Sequence, residues 1–217
     1  MIVVCLVSML RISRESISYL ATADGVLNLA GVLLFAEQPE WIKPQFVVKA
    51  ICYPGTQIHV SDYTDTEDFA GPLRKVFDDA LAFIMRNLHK VQAGRGVNAP
   101  GVPEISESVF EELLVNALVH RDYLVNAPIR VFIFDDRIEI ISPGHLPNNL
   151  TVEKIRAGNS NTRNPILVSS VAKGLLPYHG LGFGIKRAVL KQIDKLKEQG
   201  RLRRIGPAKG GHWEVVE

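Results

Sequence analysis

The sequence predicts an α/β chain, on two observations. Apolar residues recur at helical spacing in two stretches, 72–88 and 110–123. Between and after these, short runs rich in branched and aromatic residues, at 46–52, 129–134 and 138–141, have strand character and end at Pro, Gly or Asp. At 217 residues the chain can fill one large domain or two modest ones. Its 47% hydrophobic and 22% charged residues exclude a disordered chain and a coiled coil. The formal net charge of +2 carries no chain-wide nucleic-acid signal, although basic residues outnumber acidic ones between Lys186 and Arg204. Two cysteines, Cys5 and Cys52, are too few for a disulfide framework and point to reduced, partly buried thiols in a cytoplasmic protein.

Taken in order, the opening MIVVCLVSML is apolar but has no basic flank and is too short to span a bilayer. It reads as the start of a buried strand or helix. LNLAGVLLF (27–35) predicts a short buried helix, ended near Gln38-Pro39. A strand follows within 44–53, then a Pro54-Gly55 turn. The acidic stretch 62–68 predicts a loop. Leu73, Val76, Phe77, Ala80, Leu81 and Ile84 set the apolar face of a helix over 72–88. The Gly- and Pro-rich 91–103 reads as a linker or long loop. Glu111 to Tyr123 predicts the central helix, with Ser108 and Glu111 as a capping box and Phe110, Leu113, Leu114, Ala117 and Leu118 as its apolar stripe. Ile129–Phe134 and Ile138–Ile141 form a hairpin around Asp135-Asp136, and Ser142-Pro143-Gly144 suits a type II turn. Thr151 caps a short helix that stops at Gly158. NSNTRN (159–164) is a polar loop, and Asn164-Pro165 starts a helix ending at Gly174. GLGFG (180–184) opens a last long helix to about Gln199, and 201–217 makes two short strands around a Gly-rich turn.

Glu112 and Asn116 stand four apart beside the apolar stripe, so their side chains are neighbours. A carboxylate and a carboxamide at a core edge suit a divalent metal and an attacking water. The chain has no GxxxxGK[ST], which excludes a helicase motor within it. It also lacks HExxH, paired CxxC and GxSxG, so zinc and serine hydrolase readings have no support. GLGFG suits backbone approach to phosphate at a helix N-terminus, but taken in isolation it reads first as a tight turn.

The order of these pieces resembles the GHKL ATP-binding superfamily, which includes gyrase B, the Hsp90 chaperones, histidine kinases and MutL. NALVHRDY, FDDRIEIISPGHLP, TRNP and GLGFGI resemble one branch of it. That branch is the RecG-like C-terminal ATPase-type domain of transcriptional regulators, often labelled as ATP-dependent DNA helicases. The similarity runs from about Leu20 to Val189. It implies an α+β two-layer sandwich, with helices on one face of a mixed sheet. Its parts would be an N-terminal α/β segment (1–95), a nucleotide-binding core (104–190) and a basic tail (191–217).

The resemblance also implies ATP and Mg²⁺ as cofactors. Asn116 would ligand the metal and Glu112 would act as general base. Ser142 and Gly144 would lie at the adenine end, Gly180, Gly182 and Gly184 would wrap the phosphates, and Arg163 would contact phosphate. His120, Arg121 and Asp122 match the branch signature without assigned roles; Asp122 reads equally as a cap or a partner of Arg121, and His120 as a core-edge histidine. Ser142 departs from the superfamily, which places an Asp there to read the adenine amino group. The hydroxyl still accepts a hydrogen bond, but without charge assistance.

IDKLKEQGRLRRIGPAKGGHWEVV resembles the end of a winged-helix DNA-binding domain, whose preceding helices are missing. There Lys195, Arg201, Arg203 and Arg204 would contact DNA phosphates. The expectation is a fragment of a transcriptional regulator that binds nucleotide, with DNA as partner, a homodimer as a second form of association, and no membrane. The rival expectation is a DNA-binding or dimerisation module that has lost nucleotide use. A histidine-kinase reading lacks a phosphoacceptor helix.

Overall fold

The computed structural model describes residues 19–22, 24–59, 61–91, 101–157, 159, 161–170, 174, 176, 198, 202–205 and 212–215. Its first helix, α1 (Leu29–Phe35), starts at Asn28, whose Oδ1 accepts the Gly31 N–H at 3.0 Å. A single 3₁₀ turn, Pro39–Trp41, follows where the proline breaks the pattern. Strand β1 (Val48–Cys52) and strand β2 (Asp65–Phe69) pair antiparallel. Helix α2 (Leu73–Asn87) buries the face formed by Leu73, Val76, Phe77, Ala80, Leu81 and Ile84, as the apolar spacing predicts. Strands β3 (Lys90–Val91) and β4 (Val102–Pro103) pair antiparallel, so the ends of the predicted linker meet in a two-residue ladder; residues 92–100 lie outside the described ones.

Helix α3 (Glu107–Val119) is the central helix, starting and ending four residues earlier than its predicted span. The capping box at Ser108 and Glu111 is therefore displaced. Ser106 holds the N-cap position without a side-chain capping bond, and its Oγ lies 3.0 Å from Ser108 Oγ. The helix is nearly enclosed: Val109, Val115 and Val119 are buried as well as Phe110, Leu114, Ala117 and Leu118. Strands β5 (Ile129–Ile133) and β6 (Ile138–Ile141) form the expected hairpin. Two short helices follow, α4 (Val152–Arg156), capped by Thr151, and α5 (Pro165–Ser170). Strands β7 (Leu202–Ile205) and β8 (His212–Val215) pair antiparallel, as the tail predicts.

The main sheet has the order β2-β1-β5-β6, with β1 and β5 parallel and the outer pairs antiparallel. Period-2 alternation decides its two faces. Val48, Ala50, Phe69, Ile129, Val131 and Ile133 are buried under the helices, while Lys49 and Arg130 are exposed on the other side. Helix α2 packs on β1, β2 and α3, and α3 packs on β6, which closes one core between two layers. The fold is thus two-layer α+β on a mixed sheet, with β1 and β2 from the N-terminal segment sharing it with β5 and β6.

The stretch 62–68 is a correction: Asp65–Phe69 is an edge strand. Its exposed acidic side chains hide the strand period. The backbone is recruited by β1, and cations hold the carboxylates in place: Lys49 Nζ reaches Asp68 at 2.5 Å, and Arg86 reaches Asp65 at 2.8 Å and Glu67 at 2.6 Å. Charged side chains on such an edge also discourage strand addition. No helix among the described residues is long and apolar enough to cross a membrane.

Candidate functional site

The site is built where α3 ends. A helix leaves its last four carbonyls without intrahelical donors, and a buried carbonyl needs a partner. Here three of them, on Ala117, Leu118 and Val119, receive one beyond the last regular helical bond. His120 N–H donates to Asn116 O at 3.0 Å. Ser142 Oγ–H donates to Ala117 O at 2.8 Å, from the exit of β6. The buried Tyr123 hydroxyl donates to Leu118 O at 2.9 Å. Asn164 Nδ2 donates to Val119 O at 2.8 Å and to Arg121 O at 2.8 Å, from the residue before α5. Three chain segments therefore converge on one helix end, each drawn by an orphaned acceptor.

This convergence explains the HRDY segment. Arg121 is buried, with its guanidinium carbon 5.0 Å from the Tyr123 ring centroid and 5.6 Å from that of Phe46. Its Nη2 donates to Gln45 O and Ala127 O, both at 2.7 Å. Asp122 pairs with Arg163, 41 residues away, and not with Arg121: Arg163 Nη1 lies 2.5 Å from Asp122 Oδ2. Asp122 Oδ1 also accepts the Leu124 N–H at 3.0 Å, a local turn bond. Arg163 Nη2 donates to the His145 carbonyl as well. Burial, with the Arg163 cation second, pushes the His120 imidazole below its ordinary range. Burial pushes the Tyr123 phenol up, so it remains a donor.

Gly144 follows Ser142 at φ +113°, a left-handed conformation that favours glycine. A Cβ there would lie 2.5 Å from Asp122 Cβ. Asp122 N–H donates to Pro143 O at 2.9 Å, which holds the β6 exit against the end of α3. The Ser142-Pro143-Gly144 turn is thus fastened from both sides. The serine also acquires a physical reason: a carboxylate at position 142 could not donate to Ala117 O.

One turn back on α3, Glu112 and Asn116 are half-buried and in contact, as their spacing predicts. Asn116 Nδ2 donates to Glu112 O at 2.8 Å and to Glu112 Oε1 at 3.0 Å. Both amide hydrogens are spent within the pair, and among the described bonds Asn116 Oδ1 has no donor. Among the described residues no three His, Cys, Asp or Glu side chains group as a metal site. The structure therefore places Ser142, Gly144 and Arg163 around the end of α3 and the residues that follow it, and Glu112 and Asn116 in contact with each other further back on the same helix. Gly180, Gly182, Gly184, Lys195 and Arg201 lie outside the described residues, as do Cys5 and the opening segment. Arg203 and Arg204 lie in β7, in register with Glu214 and Trp213 of β8. Cys52 is a free thiol in β1, raised by burial first and by Asp65 and Asp135 after it. Sequence reasoning missed Asn164 as a clasp; it read the residue as a helix cap before Pro165.

Residues 126–200 match the family model described as "Putative ATP-dependent DNA helicase recG C-terminal". The match takes in the β5–β6 hairpin, Ser142, Gly144, Arg163 and the GLGFG segment, about a third of the chain; α3 lies before it. The crystal structure of the DIP2311 protein from Corynebacterium diphtheriae is similar in fold, with a TM-score of 0.63 at 21% identity. That similarity covers 90% of this chain, which spans 39% of the length of the DIP2311 chain. No curated protein matches the sequence.

Proposed function

We propose that this chain carries a GHKL-type ATP-binding domain, with nucleotide and Mg²⁺ seated between the Glu112/Asn116 edge of α3 and the exit of β6. The observation that carries the reading is the Glu112–Asn116 contact at 3.0 Å, beside a β6 exit tied to the neighbouring Ala117 carbonyl. The family match over 126–200 supports it from the other side of the site.

The residues present fit a magnesium nucleotide. Asn116 turns its two hydrogens to Glu112 and leaves Oδ1 as a hard oxygen ligand. One protein oxygen is enough for an ion whose remaining positions are filled by phosphate and water. When bound, Mg²⁺ would offset phosphate charge. The chain does the rest. Glu112 would accept the proton of an attacking water, and Asn116 would orient that carboxylate. Ser142, its own proton committed to Ala117 O, presents only lone pairs and would accept the adenine amino group. Arg163 would act as a positioning residue, because its fork is taken up by Asp122 and the His145 carbonyl. Lacking the charge of an aspartate, the adenine contact is weak, so binding with slow turnover is the expected behaviour.

Titration calorimetry with ATP and Mg²⁺ tests the site. The wild-type chain should bind, Asn116→Ala should lose the magnesium-dependent part, and Glu112→Gln should bind while lowering any hydrolysis about 100-fold or more. Equal magnesium-dependent binding by wild type and Asn116→Ala would remove the assignment.

The β7–β8 hairpin favours a second reading, a DNA-positioning or dimerisation module that makes no use of nucleotide. Arg203 and Arg204 sit in β7 of this hairpin. Duplex DNA binding should then fall steeply with salt and weaken in an Arg203→Ala, Arg204→Ala double variant. Binding indifferent to salt, or to both substitutions, counts against it.

A further inference from the structure

Four large apolar side chains stand out from one end of the main sheet: Trp41 is 80% exposed, Ile42 61%, Leu124 86% and Val125 39%. They sit on two loops that lead into adjacent parallel strands, since Val48 at the start of β1 is in register with Ile129 at the start of β5. The loops are tied to each other. Gln45 Nε2 donates to Asn126 Oδ1 at 2.9 Å, and the buried Arg121 donates from Nη2 to Gln45 O and to Ala127 O. A buried cation is costly, and both of these bonds go to the two loops. Backbone bonds fix the turns beside the apolar side chains: Ile42 N–H donates to Pro39 O at 3.1 Å, and Val125 N–H to Asp122 O at 3.3 Å. The four side chains therefore stand on a preorganised platform.

We propose that this platform is a docking surface for residues 1–10 of the same chain, MIVVCLVSML. Size decides against a second copy. The four side chains offer on the order of 500 Å² of apolar surface, short of the roughly 800 Å² that a stable interface takes from each partner. A short tethered segment needs less, because its tether supplies a local concentration of about millimolar. The opening segment has the chemistry. Apart from Ser8 it is apolar, and it has no charged side chain, so docking leaves no side-chain charge of its own buried. It also has the reach. Residues 11–18 join it to Tyr19, the first described residue, and span up to about 28 Å when extended. Tyr19 O accepts Asn28 Nδ2 at 2.7 Å, and Asn28 caps α1, a helix about 10 Å long. Leu33 of α1 in turn shares a narrow cleft with Phe46 and Tyr123, which adjoin the two loops in sequence. Docking removes both apolar surfaces from water and does not depend on nucleotide binding.

The experiment uses the full chain with Trp213→Phe, which leaves Trp41 as its one tryptophan. Trp41 emission and its quenching by acrylamide are followed over a dilution series. Emission should be blue-shifted and quenching slow at every concentration. Adding Val4→Asp and Leu6→Asp should release the segment, move the emission to the red and raise the quenching constant severalfold. If that variant does not fold, Leu124→Cys decides, at a side chain exposed on the platform. A short bismaleimide should then join it to Cys5 within the monomer, with the linked peptides identified by mass spectrometry. Four outcomes would overturn the proposal: solvent-exposed Trp41 emission in the folded parent chain, shielding that grows with concentration as a second copy would give, shielding unchanged by the two aspartates, or no link to Cys5.

Discussion

Gly144 lies at a point where backbone geometry and packing make the same demand. Its φ of +113° disfavours any L side chain, and an added Cβ would meet Asp122 Cβ at 2.5 Å. Gly144→Ala should destabilise the chain by about 2–4 kcal/mol in urea unfolding. Gly55 shares the left-handed conformation, at φ +78°, but has open space around it. Gly55→Ala should therefore lose only about 1 kcal/mol, and a difference between the two variants measures the contact with Asp122. His120 gives a second test. Burial and the Arg163 cation depress its folded-state pKa, so the unfolded chain takes up the proton first. The stability this represents is present above the unfolded value of about 6.5 and is lost as pH falls through the lower folded value. His120→Gln should flatten the fall of the unfolding midpoint across that acidic window. At this scale the residue types were legible in NALVHRDY, but their partners were not. Asp122 could be read as a cap or as a partner of Arg121; it caps Leu124 N–H and pairs with Arg163, which depends on how a segment 41 residues away returns.

Elements differ in how plainly their residues announce them. Helix α2 and the β5–β6 hairpin follow from periodicity because one face of each is buried and the other is wet. Strand β2 does not, since an edge strand with acidic side chains has no apolar alternation to display. Helix α3 is displaced from its predicted span for a related reason. Its burial is nearly all round, so the stripe does not mark its ends, and tertiary donors terminate it. Asn164 is the clearest of these donors. Asn164→Ala should strand Val119 O and Arg121 O, lower stability by about 2–3 kcal/mol, and speed amide exchange in α5. Unchanged stability with unchanged exchange would mean that the clasp holds nothing. The Glu112–Asn116 contact, in contrast, is legible from spacing alone, because i,i+4 neighbours on a helix meet whatever surrounds them.

The whole molecule joins what the sequence keeps apart. Residues 48–52 run parallel to residues 129–133 in the middle of one sheet, with α2 and α3 closing over the same face. By itself the sequence determined the α/β class, the helical and hairpin segments, and a carboxylate–carboxamide pair on one helix edge. These are local properties, set by repeat spacing and by the reach of side chains along a single element. Only the tertiary structure decided that β1 sits beside β5, that Asp122 meets Arg163, and that Ser142, Tyr123 and Asn164 cap the carbonyls of α3. Such pairings bring together residues distant along the chain or past the end of their own element. Their physical cause is the need of buried polar groups for partners, which no local pattern displays.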